Sequence, residues 1–349
     1  MAPTISDIAR VVGVKKSTVS VVLNRKATAI RVSDRTREKI FQAAQELGYH
    51  PNAAARALST KRTGYIGFML SDDMAGGWNN SFYATVLAGV EEYCNRRNYG
   101  LTISRYNLSN VDTFLFPTRV GQRSVDALVL AGYVTAAVAA RFREFGIPCV
   151  TVGDNHEVRD LFPTVSSDIV TGLGLGVEHA AKHGHVRIGI ATASTPRARE
   201  VGELVINRAR SQRSTAHCRL SLIDTGNLHA DYDQGKPLLE FWLAMTPNER
   251  PTALVGGDQP LARFLRELYG RGLSCPEDVS LVTSGDTPLC EWTHPGLSGP
   301  KFDYEHLGAA AAKMLLDHLD EGKPLTPDMT YVEPACGFCD RGSCGLRKD

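Results

Sequence analysis

The stretch TISDIARVVGVKKSTVSVVLN, from Thr4 to Asn24, sets the structure of the N-terminal part of the chain. It opens with four apolar residues at the spacing i, i+3, i+4 and i+7, namely Ile5, Ile8, Ala9 and Val12. That spacing places one face of a helix in a small core. Thr4, followed three residues later by Asp7, is a pattern that starts helices. The sequence therefore predicts a helix beginning next to Thr4.

A second helix is predicted directly after a sharp turn. Gly13 readily takes the left-handed conformation that ends a helix, and Val19 and Val22 restart the helical period. A small Ala9 at the crossing point, a glycine in the turn and an apolar Val19 form the pattern of a helix-turn-helix. In that motif the second helix enters the major groove of DNA. An ordinary helical hairpin without a DNA partner is the alternative.

The outward face of the second helix favours DNA binding. It carries cationic, hydroxyl, methyl and amide groups that suit phosphates and base edges: Lys15, Lys16, Ser17, Ser20, Val21 and Asn24. Residues 1–62 contain 12 Lys and Arg against 4 Asp and Glu, a net charge of +8, whereas the remaining residues contain 27 against 34, or −7. A basic head on an acidic body implies that only the head meets a polyanion.

Two further helices are expected before residue 64. Ser33 is a suitable N-cap for a helix with apolar residues Ile40, Ala43, Ala44 and Leu47, and Gly48 ends it. The alanine-rich segment 52–59 then predicts a short helix after Pro51. Such short helices bury only a minimal core, so the head is expected to be tethered to a larger domain.

From Tyr65 onward, short apolar strands alternate with amphipathic helices. The predicted strands are YIGFML (65–70), LTISRY (101–106), ALVLAG (127–132), CVTVG (149–153), VRIGIAT (186–192), LSLID (220–224), ALVGGD (253–258) and VSLVTSG (279–285). This alternation predicts α/β structure with parallel sheets. The chain contains neither an apolar signal core at MAPTISDIAR nor a run of 18 apolar residues, so a cytoplasmic protein without membrane contact is expected.

Residues 4–62 resemble the lactose-repressor (LacI/GalR) family of bacterial transcription regulators, and the similarity extends over nearly the whole chain. The motifs that carry the resemblance are GVKKSTVSVVLN, SDRTREKI, AAQELGYHPNAAARAL and KRTGYIGF, in this order. The resemblance implies a helix-turn-helix head, a hinge helix and two Rossmann-like lobes of the periplasmic-binding-protein type. It also implies a homodimeric, nucleoid-associated repressor that binds operator DNA and a small-molecule effector, without a cofactor and without enzymatic activity.

The expected domain boundaries follow from this comparison. Residues 1–62 form the DNA-binding head, with the hinge helix at about 52–60, and residues 63–340 form the effector-binding and dimerisation domain. The first lobe is expected at about 63–160 and 292–326, and the second at about 161–291 and 327–340. Residues 341–349 remain as a tail.

The family's DNA contacts map onto the head. In the family, the hinge helix forms on the operator, pairs with its copy and drives a leucine, here Leu58, into the minor groove. Lys16 and Ser17 match base-reading positions, and Lys15 is assigned to phosphate. Val21 stands where an arginine is frequent, so the half-site is expected to differ at that base pair. The remaining contacts implied are Thr4, Thr18, Ser20, Asn24, Arg31, Asn52 and Ala55.

Four aspartates follow predicted strands: Asp72, Asp154, Asp258 and Asp286. Ligands of parallel α/β sheets lie beyond the carboxyl ends of the strands, so these carboxylates can ring a polar ligand. A helix cap or a hydrogen bond between lobes is the alternative for each. The resemblance adds Arg199 of an Arg-x-x-Gly motif and the aromatic pair Phe82 and Tyr83. Glu203, Leu228 and Gly285 replace groups common in sugar-binding members, which disfavours a simple monosaccharide effector.

The tail CGFCDRGSC contains Cys336, Cys339 and Cys344. These thiols are a weak candidate for a metal or redox site, because no second C-x-x-C completes a four-cysteine set. An unstructured, oxidisable tail is the favoured interpretation, and no metal is predicted. The pairs His183/His185 and His217/His229 are expected at the surface.

Two other classes of protein were weighed. A soluble ligand-binding receptor without DNA readout would have the same two lobes, but the basic head argues against it. An enzyme is disfavoured because the sequence lacks a nucleophile elbow, a Walker loop and a metalloprotease motif.

Overall fold

The computed structural model describes residues 3–23, 32–49, 62–74, 76–224, 226 and 232–347. The chain divides into two compact units, Met1–Thr63 and Gly64–Asp349. Several residues with predicted roles lie outside the described residues: Asn24, Arg31, Asn52, Ala55, Leu58 and Leu228.

The first unit contains the three predicted helices α1 (Ile5–Val12), α2 (Lys16–Leu23) and α3 (Asp34–Glu46). The Asp7 carboxylate accepts hydrogen bonds from the Thr4 backbone N–H at 2.9 Å and from the Thr4 hydroxyl at 2.7 Å. Gly13 ends α1 with φ of 74°. These local interactions explain why α1 starts and stops where the sequence predicts.

The core of the first unit is small and consists of the predicted apolar positions. Its buried residues are Ile8, Ala9, Val19, Val22, Ile40, Ala43 and Ala44. Leu47 was expected to join them but is 37% exposed, since α3 ends one residue earlier. Each helix therefore buries one narrow face and leaves the other to solvent.

The second unit begins with a lobe built on a six-stranded parallel sheet. Its strands are β1 (Tyr65–Ser71), β2 (Gly100–Tyr106), β3 (Ala127–Ala131), β4 (Cys149–Val152), β5 (Thr164–Ser167) and β11 (Thr330–Glu333), in the order β11-β5-β4-β3-β1-β2. One face packs against α4 (Ser81–Arg96) and α12 (Tyr304–Glu321), and the other against α5 (Thr118–Gly121) and α6 (Ala136–Phe145).

Helices α4 and α12 cross at two glycines. A Cβ atom at Gly89 would lie 1.8 Å from the Glu305 carbonyl oxygen, and one at Gly308 would lie 2.0 Å from the Val86 carbonyl oxygen. Only glycine allows the two backbones to approach this closely. This crossing packs α12, which comes near the end of the chain, against the first lobe.

The second lobe is built on a four-stranded parallel sheet. Its strands are β6 (Arg187–Thr192), β7 (Arg219–Asp224), β8 (Ala253–Gly256) and β9 (Ser280–Thr283), in the order β7-β6-β8-β9. Helices α7 (Ile169–Lys182) and α8 (Pro196–Ser211) cover one face, and α9 (Gly235–Ala244) and α10 (Asp258–Gly270) cover the other. A short α11 (Pro288–Trp292) follows, and β10 (Gly299–Lys301) pairs antiparallel with β12 (Gly337–Cys339).

The lobe boundaries differ from those predicted. Strand β5 pairs with β4 and β11 pairs with β5, so residues 164–167 and 330–333 belong to the first lobe. Residues 297–301, predicted in the first lobe, belong to the second, because Leu297 lies in the second-lobe core and the Thr283 N–H of β9 donates to the Ser298 carbonyl at 2.8 Å. The short strands TVSS and TYVE mix polar and apolar residues, so they lack the apolar signal that marked the other eight.

The C-terminal segment is ordered on the second lobe rather than loose. The Leu281 N–H donates to the Ser343 carbonyl at 2.8 Å, and the Ser343 hydroxyl donates to the Leu281 carbonyl at 2.6 Å. The Gly345 N–H donates to the Ser280 hydroxyl at 3.1 Å. These hydrogen bonds give β9, a strand at the edge of its sheet, a neighbour on its open side. This explains why the C-terminal segment is ordered.

Among the helices of the described residues, none has the length and hydrophobicity needed to cross a membrane.

Candidate functional site

A cleft of about 610 Å³ lies between the two lobes of the second unit. Residues that follow β1, β3, β4, β6, β8 and β9 line it, so it occupies the carboxyl ends of both parallel sheets. Its polar lining includes Asp73, Tyr83, Tyr133, Asp154, Glu157 and Arg197. This is the position that the strand-helix alternation indicates for a ligand.

One ion pair connects the lobes across the cleft. Asp154 follows β4 of the first lobe, and Arg197 lies in the first turn of α8 of the second lobe. Arg197 Nε and Nη2 donate to Asp154 Oδ2 at 2.6 and 2.5 Å. Arg159 donates to the other carboxylate oxygen at 2.6 Å. The Asp154 and Arg197 side chains are only 21% and 22% exposed, so solvent screens this pair less than a surface pair.

Two tyrosines offer hydroxyl groups to the cleft. The Tyr133 hydroxyl donates to Glu157 Oε1 at 2.7 Å, and burial together with this hydrogen bond raises the pKa of Tyr133 to about 12. Burial, with a smaller effect from Asp73, raises the pKa of Tyr83 as well. Both phenols therefore stay protonated at neutral pH, but the single O–H of Tyr133 already donates to Glu157, so towards a ligand its oxygen can only accept.

Tyr83 and Asp154 line the cleft as expected, but Asp72 does not. Asp72 is exposed, and its carbonyl accepts a hydrogen bond from Arg105 at 2.5 Å. The next residue, Asp73, lines the cleft and accepts a hydrogen bond from the Ser71 hydroxyl at 2.5 Å. Asp72 directly follows β1, which ends at Ser71, but it is the next residue, Asp73, that reaches the cleft.

Phe82 packs in the first lobe instead of facing the cleft. Its ring meets that of Tyr304 edge to face, with centroids 4.9 Å apart. Tyr304 is a buried member of the α4–α12 core, and Phe82 packs against the same cluster. Of the predicted aromatic pair, only Tyr83 reaches the cleft lining.

Arg197 takes the position expected for Arg199. The Arg199 side chain is 65% exposed and lies 3.4 Å from Asp224, outside the cleft lining. Residues two apart on a helix point in nearly opposite directions, so only one of the two arginines can face Asp154. In this structure Arg197, and not the Arg199 of the Arg-x-x-Gly motif, faces Asp154.

Asp258 and Asp286 have structural partners within the second lobe. Asp258 opens α10 and accepts a hydrogen bond from the Thr287 hydroxyl, and burial raises the pKa of its carboxyl. Asp286 is paired with Arg341, whose Nη1 lies 2.9 Å from Oδ1. Neither is among the residues that line the cleft.

The first unit presents a polar surface at the start of α2. Lys15, Lys16 and Ser17 are exposed there, because Val19 and Val22 turn the opposite side of the helix into the core. Thr18, Ser20 and Val21 are partly buried, and Thr4 is exposed at the start of α1. The start of the second helix is the end that contacts base edges in a helix-turn-helix.

The three tail cysteines do not form the candidate metal site. Cys336 is exposed, Cys339 is half-buried and Cys344 is buried. In the part of the chain that the structure describes, Cys344 instead clusters with His179 and His183. Sequence reasoning missed this cluster because its members are separated by about half the chain.

Two family models match the chain. The model for bacterial regulatory proteins of the lacI family matches residues 4–52, and that for a periplasmic binding protein-like domain matches residues 177–344. Together they cover the helix-turn-helix and most of the second lobe. The predicted fold class, an all-helical head followed by two α/β lobes, is confirmed.

Similar proteins are known over nearly the whole length. Catabolite control protein A of Priestia megaterium is 25% identical over 327 residues, 92% of this chain and 94% of that protein. The ribose operon repressor of Haemophilus influenzae is 29% identical over 350 residues, covering 95% and 96%. A lac repressor dimer bound to operator and the anti-inducer ONPF has the same fold, with a TM-score of 0.75, 22% identity and coverage of 99% and 100%. The chain thus joins a lacI-family DNA-binding domain to a periplasmic binding protein-like domain, and it is a DNA-binding transcription regulator rather than an enzyme.

Proposed function

We propose that this regulator represses transcription as a homodimer on an operator, and that a small polar effector in the interlobe cleft controls it. The observation that carries the proposal is the Asp154–Arg197 pair, which joins the lobes at the site where a ligand binds. We further propose that the protein resides at the nucleoid, where its operator lies.

The charges of the cleft define the class of effector. Three carboxylates line it, from Asp73, Asp154 and Glu157, and because Asp154 and Arg197 pair with each other, the charges of Asp73 and Glu157 set the sign of the lining. Such a lining repels anions and offers acceptors to hydroxyl or ammonium donors. The effector is therefore an uncharged or cationic compound with several hydrogen-bond donors, not a sugar phosphate or a carboxylate. The volume of about 610 Å³ falls in the range of small-molecule sites.

The Asp154–Arg197 ion pair between the lobes provides two states, one with the pair formed and one with it broken. An effector that engages Asp154 competes with Arg197 or adds to the same bridge, and in either case it changes the relative free energies of open and closed lobes. We propose that the hinge segment 52–60 transmits this change to the head. A short helix of this length is marginal by itself, so small changes in its surroundings shift its population.

DNA readout is assigned to the head. Lys16 and Ser17 contact bases, Lys15 contacts phosphate and Val21 meets a thymine methyl group. Leu58 enters the minor groove as an apolar wedge, which favours an easily kinked base step at the operator centre. Further contacts are assigned to Thr4, Thr18, Ser20, Asn24, Arg31, Asn52 and Ala55.

The first experiment is selection of random duplexes by the full chain at about 150 mM salt. A palindrome with a central pyrimidine-purine step is expected. The selected operator then serves in anisotropy titrations with three matched compound sets: neutral polyols and sugars, their amino derivatives, and their phosphate or carboxylate derivatives.

The titrations separate the two parts of the proposal. A compound from the first two sets should change operator affinity by about 5- to 150-fold, the usual range of allosteric coupling. A response confined to the phosphate or carboxylate set contradicts the effector class. Enrichment of a site without twofold symmetry contradicts the dimeric mode of binding.

A further inference from the structure

Two histidines of α7 face a buried cysteine of the C-terminal segment. His179 lies in the last turn of α7, and His183 directly follows the helix. Because they are four residues apart, their side chains lie on the same side. One ring nitrogen from each histidine and Cys344 Sγ all lie within 4.8 Å of one another. Nitrogen and sulfur ligands around a tetrahedral zinc ion are separated by somewhat less than this, so small side-chain rotations suffice to close the set.

The hydrogen bonding of the two histidine rings is compatible with a metal site. His183 Nδ1 lies 2.9 Å from the carbonyl oxygen of His179, and since a carbonyl only accepts, Nδ1 carries the proton. This leaves Nε2 of His183 with a free electron pair, the arrangement that carbonyl-bound histidine ligands adopt. His179 Nε2 is buried and has no hydrogen-bond partner among the described residues. A buried polar atom of this kind requires an explanation, and an ion supplies one.

Hydrogen bonds fix the segment that carries Cys344. The hydrogen bonds of Ser343 and Gly345 to β9 fix the residues on both sides of Cys344. The Arg347 N–H also donates to the His183 carbonyl at 2.8 Å. Phe338 stacks on the His179 ring, with centroids 4.4 Å apart. Both halves of the cluster are thus positioned before any ion binds.

Asp340 is the nearest candidate for a fourth ligand. Its Oδ2 lies 3.9 Å from His179 Nε2, while its Oδ1 accepts hydrogen bonds from the Ser298 hydroxyl and the Gly342 N–H. Two imidazoles, one thiolate and one carboxylate or water form a donor set that zinc prefers. Magnesium and calcium prefer oxygen ligands throughout, so they are disfavoured.

We propose that His179, His183 and Cys344, with Asp340 or water in the fourth position, bind a zinc ion that fastens the C-terminal segment to α7. Binding replaces the thiol proton of Cys344 by the metal and releases that proton to solvent. The ion joins the last part of the second lobe to a helix whose first residue, Ile169, lines the interlobe cleft. The site is separate from the cleft and from the DNA-binding head.

The test uses the full-length protein, reduced and freed of metal with a chelator. Titration with Co²⁺ should give one equivalent per chain, a thiolate-to-cobalt charge-transfer band and the visible bands of a tetrahedral site. The Cys344→Ser and His183→Ala variants should lose the charge-transfer band or weaken binding by about tenfold or more. The matched controls Cys336→Ser and Cys339→Ser should behave as the unsubstituted protein.

A second measurement does not depend on variants that fold. X-ray absorption of the zinc-loaded protein should show one sulfur and three nitrogen or oxygen neighbours. Two or three sulfur neighbours would place the ion at Cys336 and Cys339 and overturn the assignment. So would retention of the charge-transfer band in a folded Cys344→Ser variant, or failure of the unsubstituted protein to bind one equivalent of either metal.

Discussion

The side chain of Arg197 shows how a shift of two residues changes the function assigned to a helix. Arg197 and Arg199 belong to the same helical turn, yet only Arg197 reaches Asp154 across the cleft. The motif Arg-x-x-Gly carries residue identity but not the direction in which each side chain points. Asp72 and Asp73 are a similar case, because both follow β1 but only Asp73 lines the cleft.

The two arginines provide a matched pair of substitutions. Arg197→Ala should remove the link between the lobes and change the effector-induced shift in operator affinity by roughly tenfold, since a half-buried ion pair of this kind contributes about 1–2 kcal/mol. Arg199→Ala removes the same charge two residues away and should leave the shift unchanged. The measurement is operator anisotropy with and without effector. Equal effects of both substitutions would show that net charge, not the bridge, matters.

The pKa of Asp7 predicts that the stability of the head depends on pH. Hydrogen bonds from the Thr4 hydroxyl and backbone lower the pKa of Asp7 below its ordinary value of 3.8. The folded state thus favours the ionised carboxylate, and the resulting stabilisation is present above that value and is lost as the pH falls through the lowered pKa.

Asp7→Asn should accelerate hydrogen exchange of the α1 amides at neutral pH. The difference between the variant and the unsubstituted protein should shrink as the pH falls below about 3.8, where Asp7 becomes protonated in the unfolded chain and then in the folded one. Exchange rates of peptides covering residues 3–12, corrected for intrinsic pH effects, provide the readout. A difference that stays constant down to strongly acid pH would contradict the capping role.

At the level of helices and strands, the sequence predicted the parts with a strong apolar pattern. Eight strands and the three described head helices appear where expected. The strands β5 and β11 were missed, since four residues that include Ser, Thr or Glu differ little from a loop in composition. Only their pairing with β4 and with each other makes them strands. Long-range hydrogen bonding of this type cannot be inferred from local pattern.

The crossing of α4 and α12 predicts a strong effect of one methyl group. Gly308→Ala would place a Cβ atom 2.0 Å from the Val86 carbonyl oxygen, so the helices must separate. Overpacking of this kind costs about 1–3 kcal/mol and should lower Tm by several degrees. Gly270→Ala is the control, because it is also helical and meets no atom within 4 Å. It should be neutral or slightly stabilising. Similar Tm values for both variants would refute the close crossing.

For the molecule as a whole, the separation of charge defines where DNA binds. The positive residues of 1–62 give a net charge of +8, and the remainder carries −7. Affinity for DNA should therefore depend steeply on salt through the head alone, as phosphate contacts release counterions.

Lys15→Ala tests that dependence. It should weaken binding to all sequences alike and reduce the slope of log affinity against log salt by about one unit, as expected for one phosphate contact. Lys236→Ala removes an exposed positive charge from the acidic unit and should leave the slope unchanged. Filter binding or anisotropy over a range of salt concentrations measures both. Loss of affinity for one sequence only would mean that Lys15 reads a base.

The late position of β11 has a consequence for synthesis on the ribosome. The described core of the head lies before residue 50, so the head can fold early, as N-terminal domains generally do. The first lobe remains without its sixth strand until residue 333 has emerged, and β9 of the second lobe lacks its neighbour until residues 343–345 follow. A nascent chain can thus present a folded DNA-binding head well before either lobe is complete. Control by the effector then begins only after residues 343–345 have emerged.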